Sequence, residues 1–121
     1  MTEIQNRKQY DLEDRTARFA KDVRDLIKKI KRTVANIEDG KQVIRSSGSV
    51  GANYIEANES LSKKDFIMRI KICRKEAKES RYWLNLLDLE GTAGLEPIRA
   101  KLSQEAKELM NIFGAILQKT S

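Results

Sequence analysis

Histidine is absent from this 121-residue chain, and cysteine and proline occur once each, as Cys73 and Pro97. Without histidine the chain lacks the commonest general base and the commonest metal ligand. Cys73 has no imidazole to activate it, and its place on an apolar helical stripe fits a buried structural thiol. Glu56, Glu59, Glu76 and Glu79 could bring carboxylates together between two helices, but di-iron bundle sites also need Glu-x-x-His pairs. They read instead as polar surface or interface residues. No Gly-Lys-Ser/Thr ending completes a Walker motif. These absences argue against an enzyme and imply no metal and no cofactor. A lone cysteine rules out an intrachain disulfide framework and fits a reducing cytoplasm. No apolar run approaches the roughly 20 residues needed to span a bilayer. Met1 to Gln9 lacks the apolar core of a secretory signal. The expectation is a cytoplasmic protein without membrane contact.

What remains is a helix-forming composition. Aromatics make up 6% of residues, while Leu, Ile, Ala, Lys, Glu and Arg are abundant, which points to an all-helical protein. The length fits one domain with a single core. Four amphipathic segments follow a polar start, so residues 1–10 are expected to be a flexible N-terminus and 11–121 a single four-helix bundle. Asp11 is a candidate cap for the first helix, with Thr16, Phe19, Val23, Leu26 and Ile30 as its buried stripe. Asn36 is the candidate cap of the second helix, which runs to about Glu59. Ser62 and Asp65 then form a capping-box-like pair. The third stripe is Phe66, Ile70, Cys73, Ala77, Ser80, Leu84 and Leu87. Asp88 to Glu96 reads as a loop, with Pro97 at a first helical position. The fourth stripe is Ile98, Leu102, Ala106, Leu109, Phe113 and Ile116. Short connections between long helices predict an antiparallel up-down-up-down bundle.

The segment from Gln42 to Glu59 carries two conflicting signals. Ser46, Ser47, Gly48, Ser49, Gly51 and Asn53 are turn formers. Yet Ile37, Gly40, Ile44, Ser47, Gly51, Tyr54 and Asn58 alternate at helical spacing, and Val43, Val50 and Ala57 repeat beside them. The periodicity predicts a continuous helix. Each helical glycine costs about 1 kcal/mol against alanine, so such a helix needs another backbone pressed against its small residues. Asn53 and Glu56 would lie one turn apart beside that contact, and are expected to hydrogen-bond across helices or subunits. Gly48 and Gly51 also have the G-x-x-G spacing of KH domains, but the strands of that fold are missing.

The run Ile44-Arg-Ser-Ser-Gly-Ser-Val-Gly-Ala-Asn-Tyr-Ile-Glu-Ala57 resembles the signature of the four-helix bundle proteins encoded within intervening sequences of 23S ribosomal RNA genes. The likeness continues from Asn58 to Leu84, weakens over Asp88 to Glu96 and is absent before about Tyr10. It implies an antiparallel bundle that assembles into ring-like homopentamers. Biochemical function is poorly defined for that family. Independently, Val43, Val50, Ile55, Ile67, Ile72, Trp83 and Leu86 fall outside the main stripes, and an oligomer would bury several of them.

The chain holds 24 basic and 18 acidic residues, a formal charge of +6. Lys71, Arg74, Lys75, Lys78 and Arg81 lie along one face of the third helix, with like charges at the unfavourable four-residue spacing. The face is either a phosphate-contacting surface or a solvated one. Tyr82 and Trp83 flank the core stripe as packing or subunit-contact residues rather than base platforms. Two function classes follow. One is an oligomeric scaffold binding structured RNA or DNA through a basic surface without base-specific readout. The other is a protein-interaction scaffold whose charge serves solubility.

Overall fold

A computed structural model describes the backbone over residues 3–120 and the side chains from Leu12 to Thr120. Helices α1 (Glu3–Ile27), α2 (Val34–Asn58), α3 (Lys63–Leu86) and α4 (Leu95–Thr120) follow one another. The chain reverses at each short connection. The result is an all-α, antiparallel four-helix bundle in which α2 and α4 each pack against both α1 and α3. Across one diagonal, α2 and α4 meet through the rings of Tyr54 and Phe113, 5.9 Å apart. Among the described residues no helix is long and apolar enough to cross a membrane.

Caps explain most helix ends, and two differ from expectation. Helix α1 already runs through Asp11, so Asp11 is not its cap. The expected flexibility of residues 1–10 falls on Met1 and Thr2, and on side chains, that lie outside the described residues. Thr33, not Asn36, caps α2: its side-chain oxygen accepts from Asn36 N. Ser62 caps α3 in the expected way, accepting from Asp65 N. Pro97 is the third residue of α4, which begins at Leu95, and within that first turn its missing N–H leaves no intrahelical bond unmade. The C-terminus of α3 is closed by Arg99, whose Nη1 donates to Leu84 O at 3.3 Å and Leu87 O at 2.7 Å. A cation there also suits the negative end of the helix dipole.

Asn36 has a larger role than a cap. It is buried, and its Nδ2 donates to Lys31 O at 3.0 Å and to Asp88 O at 2.9 Å. Its Oδ1 accepts from Asp88 N at 2.9 Å. The amide thus pairs with one residue's backbone on both sides, tying the α1–α2 connection to the α3–α4 connection.

The core follows the expected stripes closely. Thr16, Phe19, Val23, Leu26 and Ile30 are buried, as are Ile70, Cys73, Ala77, Ser80, Leu84 and Leu87. Leu102, Ala106, Leu109 and Phe113 complete it, whereas Ile98 is exposed. Val43 and Val50, expected to await an oligomer, are fully buried inside the protomer. Ile67, Ile72 and Trp83 are half-buried, and Ile55 and Leu86 remain exposed.

Helix α2 is continuous through Ser46 to Asn53, and its two stripes serve two neighbours. Val43, Ser46 and Val50 face the core and α3: the Ser46 and Ser80 hydroxyls share a hydrogen bond of 2.8 Å, and Cys73 Sγ donates to Val50 O. The glycines face α1. A Cβ on Gly40 would meet Ile27 at 3.4 Å, and one on Gly51 would lie 2.9 Å from Thr16 Oγ1 and 3.2 Å from Thr16 Cβ. A Cβ on Gly48 would meet only the end of the Arg24 side chain, at 3.3 Å. Asn58 Nδ2 donates to Glu13 Oε1 across the same seam. Ile37, the first residue of the α1-facing stripe, extends past the contact and is exposed.

The two central glycines should therefore respond oppositely to substitution. Gly51→Leu collides with the buried Thr16 and should cost about 1–3 kcal/mol or more. Gly48→Ala displaces a flexible guanidinium and should stabilise by up to about 1 kcal/mol through helix propensity. Urea denaturation of both variants checks the pair of signs.

Candidate functional site

The expected basic face exists, and its character depends on where the neighbouring acids go. Lys71, Arg74, Lys75 and Lys78 are exposed on α3, and Arg81 is half-buried. Arg81 Nε donates to Ser103 Oγ on α4 at 3.3 Å, so this flank of α3 borders α4. Helical spacing puts Lys78, Arg74 and Lys71 along the same border, with Lys75 turned further outward. None of the five makes an ion pair among the described residues.

Arginines on the other two helices hold the nearby carboxylates away. Arg45 on α2 donates Nη1 to Glu76 Oε2 at 2.9 Å and Nη2 to Glu79 Oε2 at 3.3 Å. Glu76 is a buried carboxylate, so this contact offsets a desolvation that would otherwise cost several kcal/mol. On the far flank of α4, Arg15 donates Nε and Nη2 to the two oxygens of Glu105 at 2.8 and 2.7 Å, and Nη2 also reaches Glu108. Side-chain hydrogen bonding to Glu105, the main cause, raises the pKa of Arg15 further. The acids of the facing half of α4 thus point toward α1. Its α3-facing flank carries Ser103, Lys107, Met110, Asn111, Gly114 and Gln118, with no acid among them.

A groove of about 520 Å³ opens on this seam, lined by Ile67, Lys71 and Arg74 of α3 and by Met110, Asn111, Gly114, Ala115, Leu117 and Gln118 of α4. A Cβ on Gly114 would meet nothing nearer than Arg74 Nε at 3.9 Å, so the glycine leaves the guanidinium room to lie across the helix. Lys107 and Gly114 were missed by reading basic runs on one helix at a time. The available signal was the acid-free spacing of Ser103, Lys107 and Gly114 beside the fourth stripe.

The expected polar pair separates. Asn53 does reach across helices, its Oδ1 accepting from Arg69 Nη1 at 3.0 Å while its Nδ2 donates to Ser49 O and Oγ. Glu56 is exposed, with no cross-helix contact among the described residues. The buried acidic contact belongs to Glu76, because α3 faces the Arg45 side of α2 there and Glu56 lies beyond it. Gly48 and Gly51 of the G-x-x-G spacing are turned to Arg24 and Thr16, so neither offers a backbone clamp to a ligand. Tyr82 is exposed and packs edge-on to Trp83, centroids 5.0 Å apart.

Comparison with known proteins adds two findings. The family model described as 23S rRNA-intervening sequence protein matches residues 8–115. A crystal structure of a protein with unknown function from the S23 ribosomal protein family, from Bacteroides thetaiotaomicron, aligns with a TM-score of 0.76 and 30% identity, covering 92% of this chain and 98% of that one. The curated proteins give no match.

Cys73 is fully buried, and burial pushes its thiol up to about 12. The folded thiol stays protonated where an unfolded one ionises, so its contribution to stability is complete below about pH 8.5. That contribution is lost as pH rises from there toward 12, at no more than about 1.4 kcal/mol per pH unit. Urea denaturation of the parent and Cys73→Ala across this range should show the parent losing stability more steeply.

Proposed function

The chain belongs to the 23S rRNA-intervening sequence protein family, and we propose that it is a non-enzymatic, self-assembling helical scaffold that binds the phosphate backbone of structured RNA or DNA without base-specific readout. One observation carries this reading. On the α3–α4 face Lys71, Arg74, Lys75, Lys78, Arg81 and Lys107 make no ion pair among the described residues, while Arg45 and Arg15 hold Glu76, Glu79, Glu105 and Glu108 elsewhere. A solvated face that served only solubility would intersperse both signs. Along the roughly 15 Å between Lys71 and Arg81, the cations match a run of backbone phosphates.

Assembly completes the proposal. Met68, Tyr82 and Leu86 are exposed on α3, and their spacing lines them along its outward side with Lys75 among them, next to Lys71, Arg74, Lys78 and Arg81. Burying such a stripe against another copy repeats the cations around a closed assembly, and many weak phosphate contacts then add to useful avidity. A homopentamer is the state the family resemblance implies.

Fluorescence anisotropy with a labelled structured RNA and a matched DNA duplex should show sequence-tolerant binding. Each phosphate contact should contribute roughly 0.9 to the slope of log affinity against log salt. Replacing Lys71, Lys78 and Lys107 with Glu should abolish binding without changing helicity or oligomer size. Absence of binding at low salt, or indifference to the charge reversal, overturns the nucleic acid reading. Capture of one protein partner that survives nuclease would then favour a protein-interaction scaffold.

Size exclusion with light scattering at micromolar concentration should give a closed homo-oligomer. Leu86→Glu should shift it toward monomer. A stable monomer in the parent sinks the assembly proposal.

A further inference from the structure

We infer that the α3–α4 groove takes a single unpaired nucleotide, so that this face prefers single-stranded or bulged RNA and DNA to a continuous duplex. The inference rests on the phosphate-contacting reading of the same face and goes beyond it, because the groove is more than a row of charges. Its floor is apolar and partly backbone-like: Met110 and Ile67 are half-buried, and Gly114 lacks a side chain. Lys71 and Arg74 stand at its rim.

This combination suits an amphiphilic anion with a flat apolar part. The Arg74 guanidinium, lying beside Gly114, presents its plane for a ring to stack on, and the Met110 thioether offers a polarisable contact to the ring. Asn111 adds an amide with no intramolecular partner among the described residues. It can donate or accept and therefore serve any base edge. The phosphates on either side of an extruded base would meet Lys71 and Lys78, and the following one Arg81. Paired helix axes lie about 8–10 Å apart, so a depression at their seam admits one extended strand, whereas a duplex can only rest on its rim. Charge complementarity decides the occupant, since no acid among the described residues lines the groove to recruit a basic peptide.

The test compares a mixed-sequence single-stranded RNA containing 2-aminopurine with a blunt RNA duplex of equal length, at one low salt concentration. The parent should bind the single strand about three- to tenfold more tightly, with a change in 2-aminopurine emission. Gly114→Leu puts a side chain against Arg74, displacing the guanidinium from the groove while keeping every positive charge of the face. It should bring the single strand down to the duplex affinity, abolish the emission change and leave duplex binding unaltered. Equal affinities in the parent, unchanged in Gly114→Leu, overturn this inference while backbone binding stands. Failure of both probes to bind overturns the underlying reading as well. Displacement of the single strand by an oligo-glutamate peptide at equal charge concentration assigns the groove to any polyanion and removes the nucleotide.

Discussion

The bundle depends on one close approach, that of α1 to the glycine face of α2. Gly51 sits where a Cβ would lie 2.9 Å from Thr16 Oγ1, and only a residue without a side chain permits that spacing. The contact is specific because Thr16 is itself fixed, its hydroxyl donating to Leu12 O and Glu13 O. With α1 drawn in on one side, α2 presents Val43, Ser46 and Val50 to the core and to α3 on the other. Small residues recur there too, in the Ser46–Ser80 pair and at Cys73 and Ala77. A helix composed like a loop is stable here because it is gripped from both sides, so tertiary packing overrides propensity.

That grip sets the distribution of charge. Because α2 lies flush against α3, Arg45 reaches Glu76 and Glu79 at their seam. Because α1 reaches α4 more sparingly, the gap between them is bridged by the long side chain of Arg15 on Glu105 and Glu108. Glu76, Glu79, Glu105 and Glu108 are each committed to an arginine on the other flank of their helix. A chain with 18 acidic residues can thus keep one surface free of them.

The sequence displayed the fold more fully than the site. The stripes of α1, α3 and α4 were legible because a 3.6-residue period with large apolar residues admits few alternatives. The α2 stripes were legible as periods but not as faces: small residues mark a close neighbour without saying which one. Ile37 lies a turn beyond the contact of Gly40 with Ile27, the last residue of α1, and Ile98 lines the open groove between α1 and α4, so both are exposed. Thr33 competes with Asn36 as a cap, and only the distant backbone of Asp88 assigns Asn36 its buried task. Glu56 and Glu76 are equivalent in the sequence, and the rotation of α3 against Arg45 separates them. The basic run on α3 was visible, whereas its enclosure by Lys107 and Gly114 required knowing which flank of α4 it borders.

The pairing of Asn36 with Asp88 also bears on how the chain assembles. Helices α1 and α2, and likewise α3 and α4, are neighbours along the chain, so each hairpin can close through local contacts that form rapidly. The amide bridge joins residues 52 apart, one from each hairpin's end of the molecule. It accepts one axial alignment only, since a slip of one turn would carry Asp88 about 5.4 Å away and leave a buried amide unsatisfied. Two quickly formed halves with smooth apolar faces could otherwise dock in several registers. The Asn36 side chain favours the native one, because only there do its amide nitrogen and oxygen both meet the Asp88 backbone.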